Sequence, residues 1–370
     1  MITKDDELLC HQTCSTFDHA HTSDLRWTER TGIWAIDLSK NISFLTGLAR
    51  YANRNLMDGY GMITIEDKTA HVVRVSRELR PEPSDLRVGP LSYEIVEPLK
   101  RVRTVLGENE YGLSYDIEFD ATSPTYEQIP MFSRSRGRVR EDARRYYQLG
   151  RPSGWIKTDG KTYEVNKETW RITRDHSWGT RMGAGGGTLP EGSFLQPPDI
   201  PEGIFYCMGI FDFEKWAVHF AVREDFEGKV LHFEGWVFDL NGSEGDGQDL
   251  QLLSVEHDLQ FRSDIRVIKS GRAILNAIDG SKLELSLRPI LTYYPGPAGY
   301  DFYNDYMSGM WKGPQYIDGF KVDIADPDTL KKVAWLTETW CEVRCGDDVG
   351  YGNFEMFFLG KYPRYGYHSF

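Results

Sequence analysis

Residues 59–79 read "GYGMITIEDKTAHVVRVSREL". Two short apolar or alternating runs flank a polar turn signal, which is how consecutive antiparallel strands announce themselves. The same unit recurs downstream in "RVGPLSYEIVEP" (87–98), "KRVRTVLGEN" (100–109) and "GLSYDIEFDA" (112–121). Strands spaced by roughly eight to twelve residues predict an all-β sandwich or barrel. "DGYG" (58–61) and "LGENEYG" (106–112) read as hairpin turns, where glycine supplies positive φ without steric cost. "TDGK" (158–161) is a two-residue hairpin turn of the same kind.

The pattern extends through "TWRITRDHSWGTR" (169–181) and then stops at "GAGGGTLPEGSFLQPPDIPEG" (183–203), rich in Gly and Pro. Beyond it the strands start afresh with "IFYCMGIFDF" (204–213). Two consecutive β-rich domains are therefore expected, 1–188 and 189–370, with few short helices. One helix is predicted at "DPDTLKKVAWL", capped by Asp326 with Pro327 in its first turn. A phosphate loop would need its glycines to lead into a helix. The run 183–187 leads into "TLPEGSFLQPP" instead, so nucleotide binding is not expected.

The 370 residues carry a formal net charge of −13, which repels nucleic acid and anionic membranes. No run approaches the roughly 20 apolar residues of a membrane helix, and the acidic start lacks a secretion signal. Five cysteines fit reduced thiols. A cytoplasmic protein with no nucleic-acid partner and no integral membrane association is expected; homodimerisation is left open. The pairs Cys10/Cys14 and Cys341/Cys345 are spaced more loosely than a zinc knuckle, so no metal is expected. The basic run 132–150, "FSRSRGRVREDARRYYQLG", reads either as an anion site or as a solvated turn.

If 173–178 is a strand, alternation puts Arg174, His176 and Trp178 on one face and Asp175 and Ser177 on the other. An imidazole beside an indole suits chemistry on an apolar olefin, one moving a proton and the other stabilising positive charge. The competing reading is a buried polar network of Arg174, Asp175, His176 and Arg181.

Taken together, "YEIVEPLKRVRTVLGENEYGLSYDIEFDA" (93–121), "TRDHSWGTR" (173–181) and "IFYCMGIFDF" resemble the two-domain lipocalin-like family of AttH proteins and carotenoid 1,2-hydratases. The resemblance implies two antiparallel calycin barrels, a ligand cavity near their contact, and metal-free hydration or cyclisation. It matches His176 and Trp178 to a His-x-Trp pair, and Asp212 to the acid of a Tyr-x-Asp. There this sequence departs, with Ile210 in place of the tyrosine and Tyr206 the nearest one.

The expectation is a cofactor-free hydratase, isomerase or cyclase acting by proton transfer on a terpenoid, steroid or aromatic metabolite. His176 and Asp212 are the catalytic candidates. Trp178, Tyr206 and Phe211 are expected to contact the hydrophobic substrate, and Arg174, Asp175 and Arg181 to orient the cluster. The alternative is a lipocalin-like carrier without turnover. A titratable group of shifted pKa inside the cavity distinguishes them, since a carrier needs none.

Overall fold

The computed structural model describes residues 2–7, 9, 11, 14–181, 201–240, 250–263 and 265–368. The boundary expected at 188/189 and the glycine run 183–187 lie outside them. Thirteen strands precede that gap: β1 (Trp27–Asp37), β2 (Ile42–Tyr51), β3 (Leu56–Ile65), β4 (Thr69–Glu78), β5 (Arg87–Val88), β6 (Leu91–Glu97), β7 (Arg101–Leu106), β8 (Leu113–Ala121), β9 (Tyr126–Glu127), β10 (Met131–Ser135), β11 (Arg138–Thr158), β12 (Lys161–Val165) and β13 (Trp170–Thr180). Nine follow: β14 (Gly203–Asp212), β15 (Trp216–Asp225), β16 (Val230–Asp239), β17 (Leu250–Phe261), β18 (Ile268–Ala277), β19 (Lys282–Tyr293), β20 (Gln315–Asp323), β21 (Leu336–Cys345) and β22 (Asp348–Gly360).

The protein is all-β and lipocalin-like. Strands β14 to β19, β21 and β22 close an eight-stranded antiparallel barrel. The first thirteen strands form a curled sheet whose path ends at β5 on one side; on the other, β20 is added to the edge of β4. The curl brings β5 against β3 and β4. The predicted helix is present as α1 (Pro327–Val333), with the Asp326 carboxylate accepting from the Thr329 N–H at 2.8 Å.

"TDGK" forms the turn between β11 and β12, with Asp159 and Gly160 both at positive φ. "DGYG" does not turn: it lies inside β3. A Cβ on Gly59 would meet the Leu91 side chain at 2.4 Å, and one on Gly61 would meet the Tyr115 ring at 2.6 Å. These glycines admit neighbouring side chains rather than reverse the chain.

Most of β1 to β4 and of β14 is buried on both faces. Along β1, Ile33 and Ala35 face the interior of the curled sheet, while Trp34 and Ile36 face the barrel. Along β14, Phe205, Cys207 and Phe211 fill the barrel, while Tyr206, Met208 and Ile210 pack on the first sheet. Each large apolar side chain so buried contributes on the order of 1.5–3 kcal/mol. The inter-sheet layer is thus a third core and not a loose seam.

That layer holds an imidazole. His219 of β15 is 0% exposed, packed on the rings of Tyr126 and Tyr147, and its nitrogens have no hydrogen-bond partner among the described residues. Burial pushes its pKa down to about 4. The unfolded chain therefore takes up a proton that the folded chain refuses, and stability falls as pH drops from about 6.5 towards 4. His219→Phe is expected to remove up to about 3 kcal/mol of that acid loss. Identical urea midpoints for both proteins across this range would refute it.

Candidate active site between sheet and barrel

A cavity of about 270 Å³ lies where the first sheet meets the outer face of β14, β21 and β22. That is just below the roughly 300 Å³ at which ligand pockets usually begin, so it suits a small substrate or one segment of a larger one. The sheet wall supplies Arg30, Trp34, Arg145, Tyr147, Asp175, Ser177 and, just past β13, Arg181; the barrel wall supplies Tyr206, Glu338, Glu355 and Phe357. Tyr300 and Trp335 close it from the segments before β20 and β21.

Antiparallel register builds the barrel wall. Glu338 of β21 stands directly opposite Glu355 of β22. Phe354, Met356 and Phe358 point into the barrel, so Glu355 and Phe357 point out. Glu338 is 2% exposed, and one of its oxygens accepts from the Asn353 side-chain amide. Directly opposed like charges are unfavourable even at a surface. Here burial, reinforced by the facing Glu355 carboxylate, holds the Glu338 carboxyl well above the usual range. Burial raises Glu355 as well, against the pull of Arg145. The pair thus keeps a proton that isolated carboxylic acids would have shed.

The sheet wall is cationic. Arg145 Nη1 donates to the Tyr147 hydroxyl at 2.6 Å, and its Nε lies 3.4 Å from Asp175 Oδ2. Asp175 Oδ1 is buried with no hydrogen-bond partner among the described residues. Arg30 donates to the Tyr60 hydroxyl at 2.9 Å, with its guanidinium carbon 4.1 Å from the Tyr300 ring centroid. Arg181 donates to Ser177 Oγ at 2.6 Å. Burial, then the nearby Arg145 and Arg30, lower its pKa to about 10.

Of the residues expected at the site, the structure brings Asp175, Arg181 and Tyr206 to this cavity. The alternation along β13 holds, but the face that meets the cavity is that of Asp175 and Ser177. Arg174, His176 and Trp178 face the inside of the curled sheet. There His176 bridges Glu29 at 3.1 Å and the Tyr146 hydroxyl at 3.3 Å, and Trp178 packs edge-on against its ring. Arg174 donates to the Gln148 side-chain oxygen. Phe211 fills the barrel interior. Asp212 shares the outward face of β14 with Tyr206 but lies six residues, roughly 20 Å, along the strand. It is buried and tied to Arg151 Nη1 at 2.6 Å and to the Glu214 N–H at 2.8 Å. His176 and Asp212 therefore stand apart, neither lining the cavity.

Sequence reasoning missed Glu338, Glu355, Arg30 and Arg145. The basic run 132–150 does reach the cavity: Glu141, Ala143, Arg144, Arg145 and Tyr147 line it, all on the long strand β11 and not on a turn.

A closed barrel beside a curled sheet, with a ligand-sized cavity between them, defines a lipocalin-like β protein. Residues 2–368 match a family described as a family of unknown function (DUF8625), and the chain belongs to that family. No curated protein matches the sequence. Among solved structures, the chain is similar to a protein of Nitrosomonas europaea described as an AttH, at 13% identity and TM-score 0.53 over 94% of this chain and 97% of that one. This likeness bears on the fold. Weaker similarities reach kievitone hydratase from Nectria haematococca (10% identity, TM-score 0.44, covering 97% and 96% of the two chains) and CghA with Sch210972 (10%, 0.48, 90% and 89%). Neither adds to the functional reading. Among the described residues, no helix is long and apolar enough to cross a membrane.

Proposed function

We propose that the protein is an enzyme of the hydratase, isomerase or cyclase type that transfers a proton to and from a small hydrophobic substrate held in this cavity. One observation carries the reading: two opposed glutamates, both with raised pKa, form part of the wall of a ligand-sized space. A carrier has no use for them. The proton-transfer role expected of His176 and Asp212 passes to Glu338 and Glu355.

The protonated member of the pair donates to an alkene carbon, and the aromatic faces of Trp34, Tyr206 and Phe357 favour the positive charge that develops. For hydration, water adds to that cation and returns a proton to the carboxylate, restoring the pair. For isomerisation, the carboxylate removes a proton from a neighbouring carbon. Side-chain acid–base chemistry of this kind needs no cofactor.

The test is a thermal-shift screen of terpenoids, steroids and aromatic metabolites, followed by mass spectrometry of each hit incubated in D2O. The expected result is a ligand that wild type converts with deuterium uptake and Glu338→Gln binds unchanged. A ligand bound by both and converted by neither makes the protein a carrier.

A further inference from the structure

The two walls of the cavity differ in sign. Arg30, Arg145 and Arg181 all sit on the sheet wall, across from the glutamate pair on the barrel wall. Among the described residues, Asp175 is the only carboxylate within 4 Å of any of the three, and it reaches Arg145 alone. Arg181 makes no ion pair among the described residues; its one hydrogen bond goes to a serine hydroxyl. Two other arginines of the cavity wall are already neutralised, Arg144 by Asp142 at 2.9 Å and Arg223 by Glu141 at 3.0 Å.

Among the described residues, three guanidiniums thus face Asp175 and a glutamate pair that burial disposes towards the protonated form. A buried cation left uncompensated is costly, and the cost is relieved by an anion brought into the same space. Arginine is the residue best shaped to take a carboxylate through paired N–H donors. Beside these donors the wall is aromatic, with Trp34, Tyr206, Trp335 and Phe357.

We propose that the substrate is an organic acid: an apolar body carrying a carboxylate that Arg30, Arg145 and Arg181 hold against the sheet wall. This rests on the proton-transfer reading of the same cavity and names the class of molecule it takes. With the carboxylate anchored there, the reacting carbon of the apolar body lies towards Glu338 and Glu355. Fixing one end of a substrate in this way supplies the orientation that proton transfer to carbon requires.

The test is calorimetric titration of the full-length protein at pH 7 with 2-naphthoate and with 2-naphthamide, which match in shape and differ in charge. The naphthoate is expected to bind at least tenfold more tightly. Arg181→Gln is expected to shrink that preference to threefold or less, while the amide binds as before. Arg30→Gln provides a second variant should Arg181→Gln fold poorly. Equal binding of the two probes, tighter binding of the amide, or no binding of either up to millimolar concentration overturns the proposal, as does a preference that survives both substitutions. The proton-transfer reading is separately read from the infrared band of a protonated carboxyl in ligand-free protein. It stands if that band is lost in Glu338→Gln, whatever the naphthoate does.

Discussion

Glu338→Gln is expected to slow turnover by 10²–10⁴, the usual range for loss of a general acid, while making the protein more stable at neutral and alkaline pH. The two effects have one origin. The Glu338 carboxyl is held above its ordinary pKa by burial and by Glu355. Above about pH 4.5 the unfolded chain has released this proton and the folded chain has not. Stability contributed by the protonated form is therefore fully present below that pH and is lost as pH rises through the folded pKa. Glutamine keeps the shape and an acceptor for the Asn353 amide, but has nothing to ionise. Urea midpoints of wild type should fall between pH 6.5 and 8.5, above the range in which His219 acts, and those of Glu338→Gln/Glu355→Gln should stay nearly level there. Parallel slopes would mean that both glutamates ionise freely, and the proton donor would be lost with them. Sites that trade stability for chemistry behave in this way.

Arg74→Met is expected to destabilise the fold by about 3 kcal/mol at neutral pH. Arg74 of β4 is 0% exposed and bonds Asp318 of β20 through two nitrogens. It also donates to the Tyr303 carbonyl at 2.7 Å and lies between the rings of Tyr306 and Phe320. Methionine fills much of the space and satisfies none of these acceptors. The figure sits at the low end of the range for broken buried pairs because Asp318 remains 23% exposed and can turn to water. Asp318→Asn should cost less, since an amide oxygen still accepts from the guanidinium. A Met variant with an unchanged midpoint would show that the rings alone hold this corner.

The strand rhythm, the "TDGK" turn and the capped helix were legible because each depends on residues adjacent in the chain. "DGYG" misled for the converse reason: its glycines answer to Leu91 and Tyr115, which are remote in sequence. The alternation along 173–178 was legible too. Which of its faces meets the cavity was not, because that follows from how the whole sheet lies on the barrel. A one-residue choice of face exchanges His176 for Asp175. Glu338 and Glu355 become a pair only through the β21–β22 register. Their local trace is slight: in "TETWCEV" (337–343) and "NFEMFF" (353–358), a carboxylate interrupts an otherwise strand-like, buried run. An acid at such a position is worth noting in any β sequence, since an apolar residue would fold more easily there.

The seating of β20 beside β4 also bears on how the protein is made. β4 emerges from the ribosome by residue 78, but the strand that covers its edge ends at residue 323. At ordinary synthesis rates that interval is roughly ten to fifty seconds. Throughout it, the nascent first sheet presents a row of unpaired backbone groups, the kind of edge on which chains aggregate or exchange strands. The edge is closed only when residues 315–323 arrive to pair with it. A fragment ending at Arg181 would carry that exposed edge permanently.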